Sequence, residues 1–135
     1  MSDQRRWAPW RYEYVAGQLR ADEQSLPEPE AWRSGADHEC FLCRAAAQFV
    51  DQPAADRANL VVHRGEQVFT VLNRFPYNNG HLLVAPLRHV GPLDELTAGE
   101  MLAGVESLAQ WTTTLSQELS AHGFNIGLNL GEAAG

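Results

Sequence analysis

Two cysteines three residues apart, Cys40-Phe41-Leu42-Cys43, are the side chains in this sequence best suited to hold a metal. At the start of a helix, this spacing lets both thiolates reach one tetrahedral zinc, and the helix N-terminus favours their negative charge. Two ligands do not make a site. The chain has no other cysteine, so further ligands must be imidazoles, and the candidates are His38, His63, His81, His89 and His122. His89 is favoured because it follows an apolar run across Pro86-Leu87-Arg88 and can be presented from a loop, with His38 in reserve. On the residues alone a second reading stays open, in which both cysteines are simply buried and the histidines are satisfied surface groups. A thioredoxin-like redox pair is disfavoured, since the strand that should precede it is replaced by polar Asp37-His38-Glu39.

Two more segments carry usable chemistry. Residues 73–80 open with Asn73, a neutral amide able both to donate to and to accept from ribose hydroxyls, and run on to the turn residues Asn78, Asn79 and Gly80. An ordinary connection between strands explains the same residues. Residues 129–135 lead from Asn129 into small residues ending at Gly135, which would let backbone N–H groups approach phosphate oxygens, and a plain turn explains them equally well. All ten basic residues are arginine, so Schiff-base formation and a Walker-type phosphate loop are both excluded for want of lysine.

The elements that must position these groups follow from hydrophobic patterning. A short helix is expected from Cys43 to Val50, stopped by Pro53. Residues 60–63 and 67–72 are β-branched and apolar about Arg64-Gly65-Glu66, which predicts a hairpin, and residues 81–86 form a third strand ended by Pro86. Thr97-Ala98-Gly99-Glu100 matches a capping box, opening a long helix whose apolar stripe includes Met101, Leu102, Val105, Leu108, Leu115 and Leu119, with Gly123 placed to end it. Residues 124–130 alternate as a strand does. The order helix, hairpin, strand, helix, strand predicts an α+β fold, an antiparallel sheet with one short and one long helix.

Composition bounds the rest. With 135 residues, 44% hydrophobic and 20% charged, one soluble domain is expected, and no apolar run approaches the roughly 20 residues of a membrane span. The N-terminus lacks the apolar core of a secretory signal, which points to the cytoplasm. A net charge of -7 argues against a nucleic-acid footprint while leaving a small anionic ligand open. Residues 1–37 divide off as an aromatic arm, with four aromatics between Trp7 and Tyr14, and an extended connection, leaving residues 38–135 as the domain. The arm and the long helix offer apolar surface that suggests a homodimer.

Taken together, the segments resemble the histidine-triad (HIT) family. Residues 72–89, from Leu72-Asn73-Arg74-Phe75-Pro76 to His89, resemble its ribose-binding loop, central strand and following histidine, and Cys40-Phe41-Leu42-Cys43 resembles the cysteine pair of its zinc-bearing members. Trp7-Ala-Pro-Trp-Arg11 is similar to the start of a bacterial subgroup associated with dinucleoside polyphosphate phosphorylase or nucleotide hydrolase activity. The resemblance implies a HIT-like fold in which Asn73 contacts ribose and Phe41, Leu42 and Val71 line the base pocket. It also implies that Asn129 reaches the sugar or α-phosphate, that Gly135 belongs to the phosphate loop, and that Cys40, Cys43 and His89 are three zinc ligands.

The family acts through a His-x-His-x-His segment whose middle imidazole attacks the α-phosphorus, dividing one hard displacement into two easier ones. No histidines here have that alternation. The triad, its strand and the fourth zinc ligand are expected beyond Gly135, so the resemblance implies no catalytic residue within these 135 and an incomplete zinc site. The expected substrate is a nucleotide or dinucleoside polyphosphate, cleaved by phosphorolysis or hydrolysis in the parent protein, with this chain silent. The competing expectation is a zinc-stabilised nucleotide-binding or scaffold module with no catalysis.

Overall fold

A computed structural model describes residues 26–134. The aromatic arm at residues 7–15 and Gly135 lie outside them. The chain forms α1 (Phe41–Ala46), α2 (Gln52–Ala58), β1 (Val61–Arg64), β2 (Val68–Leu72), β3 (Leu82–Pro86), a 3-10 turn at Leu93–Glu95, α3 (Ala98–Leu119) and a last 3-10 turn at Glu132–Ala134. It is an α+β fold with an antiparallel sheet in the order β1-β2-β3.

β2 is the centre of that sheet, and its residues from Val68 to Val71 are all buried, as befits a strand covered on both faces. Phe69 and Val71 point into one cluster with Ala45 and Ala46 of α1 and with Ala85 and Leu87. Thr70 faces the other way, where Trp111 of α3 donates its indole N–H to the Thr70 hydroxyl at 2.9 Å. A smaller cluster of Ala47, Phe49 and Ala55 packs under Trp32. The segment carrying Trp32 is held to the domain by an antiparallel bridge from Ala31 to Gln48 and by Arg33 Nε donating to the Ala46 carbonyl at 3.0 Å.

Four expectations are corrected. Pro53 does not merely stop one helix. It sits in the first turn of a second one, where its missing N–H costs nothing, with Asp51 as N-cap accepting from Ala54 N–H at 3.0 Å. The sheet is therefore served by two short helices. α3 begins at the expected capping box, but it ends at Leu119, with Ser120 in the left-handed region at φ 51°, rather than at Gly123. Its sheet-facing side carries Glu100 and Ser107, whereas Met101, Leu102 and Val105 are exposed. Small and polar residues let the first half of the helix approach the sheet there, while Met101, Leu102 and Val105 point out. Finally, residues 124–130 form no strand and are exposed throughout. Alternation alone cannot make a strand whose backbone groups have no partner edge among the described residues.

Candidate functional site

α1 places the cysteine pair. Cys40 is its N-cap residue and Cys43 lies one turn in, so the two sulfurs share one side of the helix start. Cys43 is buried and Cys40 half-buried. The chain leaving β3 brings in the third group: Leu87 N–H donates to the Gln67 carbonyl at 2.9 Å, extending the β2–β3 ladder by one residue, and His89 follows two residues on. Its Nδ1 stands 3.0 Å from Cys43 Sγ. One ligand atom from each of Cys40, Cys43 and His89 lies within 4.8 Å of the others.

That spacing fits a metal. Bonds of about 2.0–2.3 Å to a tetrahedral zinc set neighbouring donors roughly 3.3–3.8 Å apart, and two sulfurs with one imidazole are a donor set zinc accepts readily. Burial, opposed by a hydrogen bond from the Asp37 backbone and aided by the nearby Cys40, pushes the Cys43 thiol up to about 11. Without a cation Cys43 is thus a protonated thiol, and binding a metal must displace that proton.

His38 does not join the cluster. Its ring stacks on Trp32 with centroids 4.1 Å apart and planes 17° from parallel, and Arg44 lies 5.7 Å from the Trp32 ring centre. The reserve ligand is thus committed to an aromatic stack, while His63 and His122 are surface residues elsewhere.

Asn73 heads the loop after β2. Its N–H donates to the His81 carbonyl at 2.9 Å, its Oδ1 accepts from Phe75 N–H at 2.9 Å, and its Nδ2 lies 3.3 Å from His81 Nε2. His81 Nδ1 accepts from Tyr77 N–H at 3.2 Å, and the two rings stack. His81, read from sequence only as a strand residue, is therefore the inner post around which this loop is wound. Gly80 closes the loop at φ +77°, and a Cβ there would stand 3.0 Å from Leu119 Cδ1, so both backbone conformation and space call for glycine.

Of the remaining nucleotide-binding candidates, Gly135 lies outside the described residues. Leu42 packs on the core that holds Val71, itself 2% exposed, while Phe41 is 40% exposed. Asn129 is on the surface in the segment without regular structure. A shallow groove between the β1–β2 turn and α3, lined by His63, Gln67, Leu102, Glu106 and Ser107 among others, contains none of these residues.

Sequence reasoning missed the role of two residues beside the metal-competent cluster. Arg88, next to His89, donates through Nε and Nη2 to Glu100 Oε1 at 3.2 and 3.0 Å, and Glu100 is only 8% exposed. The capping box identified Glu100, but nothing local signalled that an arginine twelve residues earlier would share it.

Comparison with known proteins follows the same lines. The family described as HIT domain matches residues 55–135. A protein of Mycobacterium tuberculosis named AP-4-A phosphorylase, found alike in strains CDC 1551 and H37Rv, is 36% identical over 137 aligned positions. The alignment takes in 98% of this chain and 60% of that protein, so the chain spans about three fifths of the length of these curated relatives. A HIT-like protein of Methanocaldococcus jannaschii is 33% identical over 75 residues, covering 56% of this chain and 57% of its own length.

Proposed function

The chain belongs to the HIT-domain family, and from that premise we propose that it is the nucleotide-binding body of a dinucleoside polyphosphate phosphorylase or hydrolase. The observation that carries this reading is the likeness to AP-4-A phosphorylase, which extends over nearly the whole chain and so includes both the cysteine pair and the Asn73 loop. Asn73 is assigned to the ribose hydroxyls, Phe41, Leu42 and Val71 to the base, and Asn129 with Gly135 to the sugar and phosphates. Asn73 Oδ1 and Nδ2 are held by the loop's own hydrogen bonds, which pre-orients the amide.

Cys40, Cys43 and His89 are assigned to zinc, which when bound supplies a cross-link between α1 and the β3–α3 connection rather than reaction chemistry. Cys43 and His89 meet across 46 residues of sequence, so such a link would tie α1 to the chain leaving β3. A cytoplasmic location goes with this reading, since metal binding by Cys40 and Cys43 needs a compartment that keeps thiols reduced. The exposed Met101, Leu102 and Val105 on α3 support a homodimer, and no helix among the described residues is long and apolar enough to cross a membrane.

Nucleotidyl transfer by this family requires the alternating histidines, and the 135 residues contain no His-x-His-x-His. These residues are therefore assigned binding without turnover. Calorimetric titration with diadenosine tetraphosphate and with AMP tests the binding half, and saturable heat lost in Asn73→Ala is expected. Product assays with and without added phosphate test the other half, and sustained turnover by this chain would overturn the assignment.

A further inference from the structure

The clamp beside His89 has a cost that its capping role does not explain. A capping box needs only Thr97 and Glu100, here joined by Glu100 N–H donating to Thr97 Oγ1 at 3.1 Å and Thr97 N–H reaching Glu100 Oε1 at 3.5 Å. Such a glutamate can remain in water. This one is buried, its Oε1 takes both donors of Arg88, and its Oε2 has no hydrogen-bond partner among the described residues. Withdrawing a carboxylate from water is unfavourable unless its partner is held firmly.

What is held is Arg88. Besides its two bonds to Glu100, its Nη2 donates to the Glu95 carbonyl at 2.8 Å, so the guanidinium bridges the 3-10 turn and the first turn of α3. Leu87, on the other side, is anchored by its buried side chain and by the Gln67 carbonyl. His89 follows directly. Its ring is exposed, and among the described residues its hydrogen-bonding contact is with Cys43. An exposed imidazole on a connecting segment would otherwise lose conformational freedom each time a metal bound, and a backbone fixed one residue earlier removes much of that loss.

We propose that Arg88 and Glu100 are positioning residues for the metal centre, their ion pair, buried at Glu100 and open to solvent at Arg88, fixing the backbone that presents His89 to Cys40 and Cys43. The proposal rests on the metal reading given above. It assigns Glu100 two separable tasks: Thr97 shares the helix cap, and Arg88 shares the clamp.

Cobalt(II), titrated into the purified protein in competition with a chromophoric chelator, reads affinity and thiolate-to-metal charge-transfer absorption together. Glu100→Gln and Arg88→Lys are expected to weaken cobalt binding by about 10-fold, the lower end of what groups outside the ligand set contribute, and to shift the absorption. Thr97→Ala, which removes the cap and spares the clamp, should lower the melting temperature while keeping wild-type affinity. Arg88→Lys leaves the cap intact, so it decides the matter should Glu100→Gln not fold. Wild-type affinity in the folded clamp variants overturns the proposal, as does equal weakening in Thr97→Ala, which would mark a general loss of stability. Absence of cobalt–thiolate absorption in the wild-type protein overturns the metal reading itself and this proposal with it.

Discussion

Cys43 Sγ and His89 Nδ1 lie 3.0 Å apart, one on the first helix and the other just past the last strand, with 46 residues of chain between them. If this contact marks a metal centre, purified protein carries zinc in near-equimolar amount by elemental analysis, and a strong chelator lowers its melting temperature. Cys43→Ser is expected to abolish both the zinc content and the response to chelator. A variant that keeps its zinc would show the cluster to be irrelevant to metal.

Arg64 joins three elements. From β1 its Nε donates to both carboxylate oxygens of Asp56 on α2, at 3.0 and 3.1 Å, and its Nη2 reaches the Ala45 carbonyl at the end of α1. The two side chains are 24% and 25% exposed. Arg64→Ala should therefore destabilise by about 2 kcal/mol, less than the roughly 3–5 kcal/mol of breaking a fully buried pair. Denaturant unfolding measures this, and an effect within about 0.5 kcal/mol, typical of a surface change, would show that the staple is not needed.

Trp111 and Thr70 bind α3 to the sheet through a single hydrogen bond, with Thr70 wholly buried. Removing either partner strands the other, so Trp111→Phe and Thr70→Val should each cost about 1–3 kcal/mol. The double variant should cost less than the sum of the two, because no unpaired polar group then remains. Strict additivity in the cycle would contradict the contact.

Stability should fall in acid through Asp56 and Glu100. Burial pushes both carboxyls up, but hydrogen bonds from Arg64 and Gln52 to Asp56, and from Arg88 and Thr97 to Glu100, together with the arginine charges, leave both below their usual values. A carboxylate whose pKa is lower folded than unfolded stabilises the fold above its unfolded pKa, about 4 for these groups, and that contribution is lost as pH falls through the folded value. Urea unfolding is thus expected to give a flat contribution at neutral pH and a decline below about pH 4. Asp56→Asn should shallow that decline, and an unchanged slope would count against the shift.

Features set by neighbours along the chain were legible in the residues. The Thr97–Glu100 capping box, the cysteine pair at a helix start and the strands on either side of Gly65 all depend on interactions across a few residues. His89, expected from its place after β3, does come to stand with the two cysteines, whereas Trp32 takes the His38 ring into a stack, a tertiary contact that local sequence does not announce.

Where the reading failed, the deciding contact lay elsewhere in the chain. Hydropathy puts Met101, Leu102 and Val105 on the buried side of α3, but that side carries Glu100 and Trp111, to which Arg88 and Thr70 offer polar partners, together with the small Ser107. Residues 124–130 have the alternation of a strand without a ladder to join, and backbone pairing is a property of two segments, never of one.

The amino-acid sequence by itself thus pointed to the family through resemblance, and to the α+β class, the capping box and the cysteine pair at a helix start through local spacing. Only the tertiary structure decided which side chains meet. Cys43 and His89 come together because β3 runs antiparallel to β2 above α1, and Glu100 is buried because Arg88 arrives at its carboxylate, distances that no local pattern encodes.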